Sequence, residues 1–158
     1  MKNTTKKYIN EMQIKFKALS INESFARASI AGFCLQLNPS LDEITDIKTA
    51  VSEAVTNCIV HAYPQNKVGE VEAIVKLFET GVEIEISDNG IGIQNLEQAK
   101  QPFYTSKPNV ERSGMGFTVM ESFMDEVTVE NKPTGGLKVT LSKNIISQEN
   151  SSKQSKIV

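Results

Sequence analysis

The chain has 158 residues, a length that suits one domain with its own hydrophobic core, so neither disulfides nor a structural metal is needed for folding. Hydrophobic residues make up 39% and charged residues 23%, and a net charge of −2 lacks the basic excess that marks nucleic-acid binders. No apolar run is long enough to cross a bilayer and the polar start has no signal-peptide core, so a cytoplasmic protein with no membrane contact is expected.

Residues 1–10 and 146–158 are polar, poor in large apolar side chains, and read as flexible ends around a domain spanning 11–145. Met12, Ile14, Phe16 and Ala18 alternate with polar residues, as in a half-buried strand. Ser20 and Glu23 have capping-box spacing, with Asn22 as another candidate cap. A helix follows, its apolar stretch running through Phe25, Ala28, Ser29, Gly32, Phe33 and Leu35 until Pro39 ends it. Ser40 and Glu43 repeat the capping-box spacing before a long helix to about Tyr63, with Leu41, Ile44, Ile47, Val51, Val55, Cys58 and Ile59 as its core face.

Alternation at Val71–Leu77 and Val82–Ile86 around the Thr80-Gly81 turn predicts an antiparallel hairpin. A glycine-bearing loop (88–92) and a short helix near 96–100 come next. Residues 101–115 read as a mobile loop, and 116–124 as a short helix. Two strands, 127–130 and 137–141, flank a turn at 133–136. The order predicts an α+β two-layer sandwich, with helices on one face of a mixed, mostly antiparallel sheet. Cys34 and Cys58 lie in apolar helical stretches and read as buried thiols rather than metal ligands.

Three constellations bear on chemistry. Glu53, Asn57 and His61 fall at i, i+4 and i+8 and share one helical stripe. An amide oxygen is a hard ligand suited to Mg²⁺, and a carboxylate one turn away can take a proton from a nucleophile; an inert polar face would look the same. Asp88 follows an apolar strand and precedes Gly90 and Gly92, which permit positive φ and close ligand approach, though a polar turn is the simpler reading. Thr105, Ser106, Lys107, Arg112, Ser113 and Gly114 lead into a helix at about Gly116, where free N–H groups favour phosphate; a Gly/Ser loop would have the same composition. Ala73-Ile74-Val75-Lys76 imitates a kinase lysine strand, but no matching catalytic loop follows and Lys76 reads as the solvent side of a strand.

Taken together and in this order, these segments resemble the GHKL superfamily of ATPases and kinases, whose ATP-binding fold is of the Bergerat type. Glu53 and Asn57 look like its N box, Asp88 to Gly92 its first glycine box, and Gly114-Met115-Gly116-Phe117 its second. Between about residues 12 and 143 the resemblance narrows to the anti-sigma-F type of small serine kinase from spore-forming bacteria. It is carried by 22–27, 52–57, 101–103, 105–108 and 111–118.

The resemblance implies a cytoplasmic regulator of sporulation transcription that binds a sigma factor and phosphorylates a serine of an anti-anti-sigma protein. ATP/ADP and Mg²⁺ would be its cofactors, and it would be a homodimer without direct nucleic-acid contact. It implies that Glu53 is the catalytic base, Asn57 the Mg²⁺ ligand and Asp88 the adenine partner, with Gly90 and Gly92 in the same loop. Thr105, Ser106, Lys107, Ser113, Gly114, Met115, Gly116, Phe117 and Thr118 would line the phosphates, with Arg112 over the γ-phosphate. Glu23 and Arg27 would meet protein partners.

One position departs: Leu137 stands where a threonine that helps hold adenine is expected, leaving a water or Ser87 to substitute, or affinity to fall. Other readings are a stress-response (sigma-B type) relative, a sigma-binding module without phosphotransfer, and a histidine-kinase fragment. The last is disfavoured because no phosphoacceptor helices are present.

Overall fold

A computed structural model describes residues 7–64, 67–100 and 116–146. The elements are β1 (Asn10–Lys17), α1 (Asn22–Cys34), α2 (Leu41–His61), β2 (Glu70–Phe78), β3 (Gly81–Asp88), α3 (Leu96–Ala99), α4 (Gly116–Phe123), β4 (Glu126–Asn131) and β5 (Leu137–Asn144). The strands form one sheet in the order β1-β2-β3-β5-β4. Every pair among the described strands is antiparallel, so the expected mixed sheet is more regular than sequence order suggested. β2–β3 and β4–β5 are hairpins, whereas β4, which follows β3 in sequence, lies beyond β5 at the sheet edge and runs in the same direction as β3.

Period-2 alternation sends Val71, Ala73, Val75 and Leu77 of β2, Ile84 and Ile86 of β3, and Val139 and Leu141 of β5 into one buried layer under the helices. Burial of each such Val, Leu or Ile contributes about 1.5–3 kcal/mol. On α2 the buried face is Ile44, Ile47, Ala50, Val51, Ala54, Val55 and Cys58. Leu41, expected on that face, is 81% exposed because it opens the first turn before the helix reaches the sheet.

The face of α1 also differs from expectation. Ala26, Ile30, Ala31 and Cys34 are buried, whereas Phe25 and Leu35 are each 55% exposed and Ala28 and Gly32 face outward. Small residues let α1 lie close to α2, so the larger apolar side chains are turned away from the contact. Asn38 adopts the left-handed conformation (φ 51°) after one 3-10 turn and stops this segment just before Pro39.

Two equal-looking caps behave differently. Ser40 and Glu43 form the full capping box, with Glu43 N–H to Ser40 Oγ at 3.1 Å and Ser40 N–H to Glu43 Oε1 at 2.8 Å. The Ser20–Glu23 box does not form: no side chain caps α1, and Glu23 turns forward to Arg27, 3.6 Å away. Order also extends further toward the N-terminus than the expected boundary at residue 11. Strand β1 starts at Asn10, Ile9 N–H donates to Leu77 O at 2.7 Å, and the Tyr8 ring lies over Lys76 Nζ. Residues 1–6 and 147–158, which hold most of the expected flexible ends, are outside the described residues.

Candidate functional site

The capping box fixes where α2 begins, and 3.6-residue periodicity then sets which side chains share a face. Glu53, Asn57 and His61 are each half-buried on the polar stripe, while Ala54, Val55 and Cys58 between them enter the core. The stripe therefore flanks the core layer at the end of α2 nearest Asp88.

Asp88 ends β3 and is 3% exposed, the single buried charged or polar residue among those described. A carboxylate there is costly unless hydrogen-bonded. Its Oδ1 accepts from Gly90 N–H at 2.9 Å and from Leu137 N–H at 3.2 Å. Cys58, on α2, is its side-chain neighbour. Burial pushes the Cys58 thiol well above its usual range, and the adjacent Asp88 charge and hydrogen bond push it further. Cys58 is thus a buried thiol, as expected, that also lines the carboxylate. Cys34 is likewise buried, its thiol pushed up to about 12 by burial.

The loop after Asp88 is shaped by its glycines. A Cβ on Gly90 would overlap the Ala62 carbonyl, and Gly92 has φ +70°. Ile91 N–H donates to that Ala62 carbonyl at 2.8 Å. The Tyr63 hydroxyl donates to Glu70 O and accepts from Asn89 N–H at 3.0 Å. Burial, with Asp88 adding, raises the Tyr63 hydroxyl, although its bond from Asn89 works the other way. On the far side Lys132 Nζ donates to Asn89 Oδ1 at 2.8 Å, and Asn131 holds Ile93. Local patterns do not point to Ala62, Tyr63, Asn131 or Lys132, because each acts across the fold.

Leu137 sits beside Asp88 with its side chain 8% exposed, an apolar wall at this end of the site. Ser87 does not replace the missing hydroxyl. It alternates with Ile86 and Asp88, so its side chain points to the opposite face of the sheet. Thr140 likewise alternates with buried Val139 and Leu141, so its side chain points to that opposite face too.

Helix α4 begins at Gly116 and packs against α2, burying Phe117 and Met120, while Thr118 stays half-exposed. Thr105, Ser106, Lys107, Arg112, Ser113, Gly114 and Met115 lie outside the described residues. Among the described residues no cluster of three His, Cys, Asp or Glu side chains could cage a metal. The carboxamide oxygen of Asn57, half-buried on the α2 stripe, is a hard donor of the kind that suits a Mg²⁺ whose other ligands are phosphates and water. Among the described residues no helix is long and apolar enough to cross a membrane. Along the face of α2 that adjoins the stripe, Ser52, Thr56, Ile59 and Val60, with Ser20 and Glu23, line a cavity of about 260 Å³. Arg27 stands beside it, its side chain 42% exposed.

Residues 17–143 match the family described as "Histidine kinase-like ATPase domain". An anti-sigma F factor of Priestia megaterium is 56% identical over 137 residues, covering 86% of this chain and 93% of that protein. The chain belongs to the anti-sigma F factor family and carries its histidine kinase-like ATPase domain. Other members compare closely: the anti-sigma F factors of Bacillus velezensis and Bacillus subtilis (strain 168) are 54% and 52% identical over 136 residues, with the same 86% and 93% coverage. Among solved structures, the RsbU and RsbW domains of Rv1364c from Mycobacterium tuberculosis give a TM-score of 0.61 at 19% identity, over 85% of this chain and 31% of that one. The catalytic domain of histidine kinase ThkA gives 0.53 at 16% identity, over 85% and 98%. At such low identity these two structures establish a shared fold, and the α+β sandwich with helices on one sheet face is that fold. A domain of this family is a nucleotide-binding one.

Proposed function

We propose that this anti-sigma F family member holds a sigma-F type factor and, using Mg·ATP, phosphorylates a serine of its anti-anti-sigma antagonist. Identity above 50% to anti-sigma F factors across most of both chains carries this reading. The site geometry supports it. The Asp88 carboxylate, held by the Gly90 and Leu137 N–H groups and set against Cys58 of α2, would accept from an exocyclic amine such as that of adenine, and Cys58 follows Asn57, which is one turn from Glu53.

In this scheme Asn57 supplies its amide oxygen to Mg²⁺, which neutralises phosphate charge when bound. Glu53 accepts the proton of the attacking serine hydroxyl. The serine oxygen bonds the γ-phosphorus as the bond to the β-γ bridging oxygen breaks, and ADP leaves. Arg112 and Lys107 offset charge on the phosphates. Thr105, Ser106, Ser113, Gly114, Met115, Gly116, Phe117 and Thr118 complete the phosphate end. Glu23 and Arg27 on α1 contact the protein partners, and the active species is a homodimer.

The test is transfer from labelled ATP to the anti-anti-sigma protein, with phosphoserine located by mass spectrometry. Glu53→Gln should abolish labelling and leave ATP bound. Labelling at the wild-type rate would refute the base assignment. Sigma retention by a wild-type protein that never labels its antagonist would favour sequestration without phosphotransfer.

A further inference from the structure

The loop 89–93 has little to hold it locally. Within it, Gly90 N–H reaches back to Asp88 Oδ1 at 2.9 Å, and its other tethers come from distant elements. The end of α2 supplies the Ala62 carbonyl and the Tyr63 hydroxyl. The β4–β5 hairpin supplies Asn131 and Lys132. Asn131 is the most particular of these. Its Oδ1 accepts from Ile93 N–H at 2.9 Å, and its Nδ2 donates to Ile93 O at 2.7 Å. One carboxamide thereby satisfies both main-chain groups of a single loop residue, as a neighbouring strand would. The left-handed Gly92 fits the same arrangement, because a Cβ there would lie 2.5 Å from Asn131 Oδ1.

Asn131 also pairs across the hairpin with Leu137, whose N–H holds Asp88 at 3.2 Å. One end of one hairpin thus secures both the carboxylate and the loop that faces it. We propose that Asn131 is a positioning residue for purine recognition, setting the distance between the Asp88 carboxylate and the 91–93 backbone so that the base of an adenine nucleotide is gripped. This rests on the nucleotide reading above. Asn131 lies on β4, away from Glu53 and Asn57 on α2, so its effect falls on base binding and selectivity rather than on the transfer step.

Aspartate at 131 keeps the shape and the acceptor but loses the donor, and it places a carboxylate oxygen against the Ile93 carbonyl. Binding of ATP and of GTP should be titrated for the wild-type protein, Asn131→Ala and Asn131→Asp, each also melted without nucleotide. Loss of both hydrogen bonds in Asn131→Ala, and of one bond plus a carboxylate set against the Ile93 carbonyl in Asn131→Asp, predicts that ATP binding weakens about tenfold in both variants. GTP binding should change little, so the preference for ATP falls. The proposal is overturned if either folded variant keeps wild-type ATP affinity, or if ATP and GTP weaken by the same factor, as general loosening would produce. A wild-type protein that binds no ATP would instead refute the nucleotide reading, and would do so before any variant is made.

Discussion

Replacing Asp88 separates its structural role from the ligand role proposed for it. In Asp88→Ala the Leu137 N–H, which is buried, and the Gly90 N–H, which is partly buried, both lose their acceptor. A buried donor left unsatisfied costs about 1–3 kcal/mol, and the wetter one less, so the sum is about 2–4 kcal/mol of folding stability. In Asp88→Asn the amide oxygen can still take both N–H groups and the buried charge is gone, so stability should change by less than about 1 kcal/mol. Nucleotide affinity should order differently. The asparagine turns an NH₂ donor toward the exocyclic amine of adenine, setting donor against donor, and ATP binding should fall on the order of 100-fold. Urea unfolding measures the first quantity and titration with a fluorescent ATP analogue the second. If Asp88→Asn binds ATP like the wild type, Asp88 is not the base-reading group; if Asp88→Ala loses under 1 kcal/mol, its main-chain bonds are not what organises the loop.

The two serines that look like helix caps give an internal control. Ser40→Ala should cost about 1 kcal/mol in denaturant unfolding, because its hydroxyl holds Glu43 N–H, whereas Ser20→Ala should be nearly silent. The thiols predict an alkaline effect with a definite sign. Cys34 is raised to about 12 by burial, and Cys58 is raised by burial and by Asp88, so both stay protonated in the folded chain. Their contribution is intact below the unfolded thiol value of about 8.5 and is lost as pH rises above it toward the folded value, by up to about 1.4 kcal/mol per pH unit for each thiol. Urea midpoints at pH 7.5 and about pH 10 should therefore diverge, and Cys34→Ala should shrink the difference. An unchanged gap would mean that Cys34 is not held protonated by burial.

Much of the fold was legible because its causes are local. Alternating apolar residues in β1, β2, β3 and β5 meet the pleat directly, and Ser40 with Glu43 marks the start of α2 within four residues. The face of α1 was not, since Phe25 and Leu35 are as apolar as the core, and it is the small Ala26, Ala31 and Cys34 that fit against α2. Spacing alone could not choose between two stripes rotated by one position.

The site divides along the same line. The sequence by itself determined that Glu53, Asn57 and His61 share a stripe and that Asp88 ends a strand before a glycine loop, because helix and strand periods are fixed by backbone geometry. Tertiary structure alone decided that Leu137 presents its N–H to Asp88, that Ser87 turns away, that Cys58 lies under the carboxylate, and that Asn131 grips Ile93. Those bonds join residues 49 and 38 positions apart, where only strand pairing and hairpin register bring donor to acceptor.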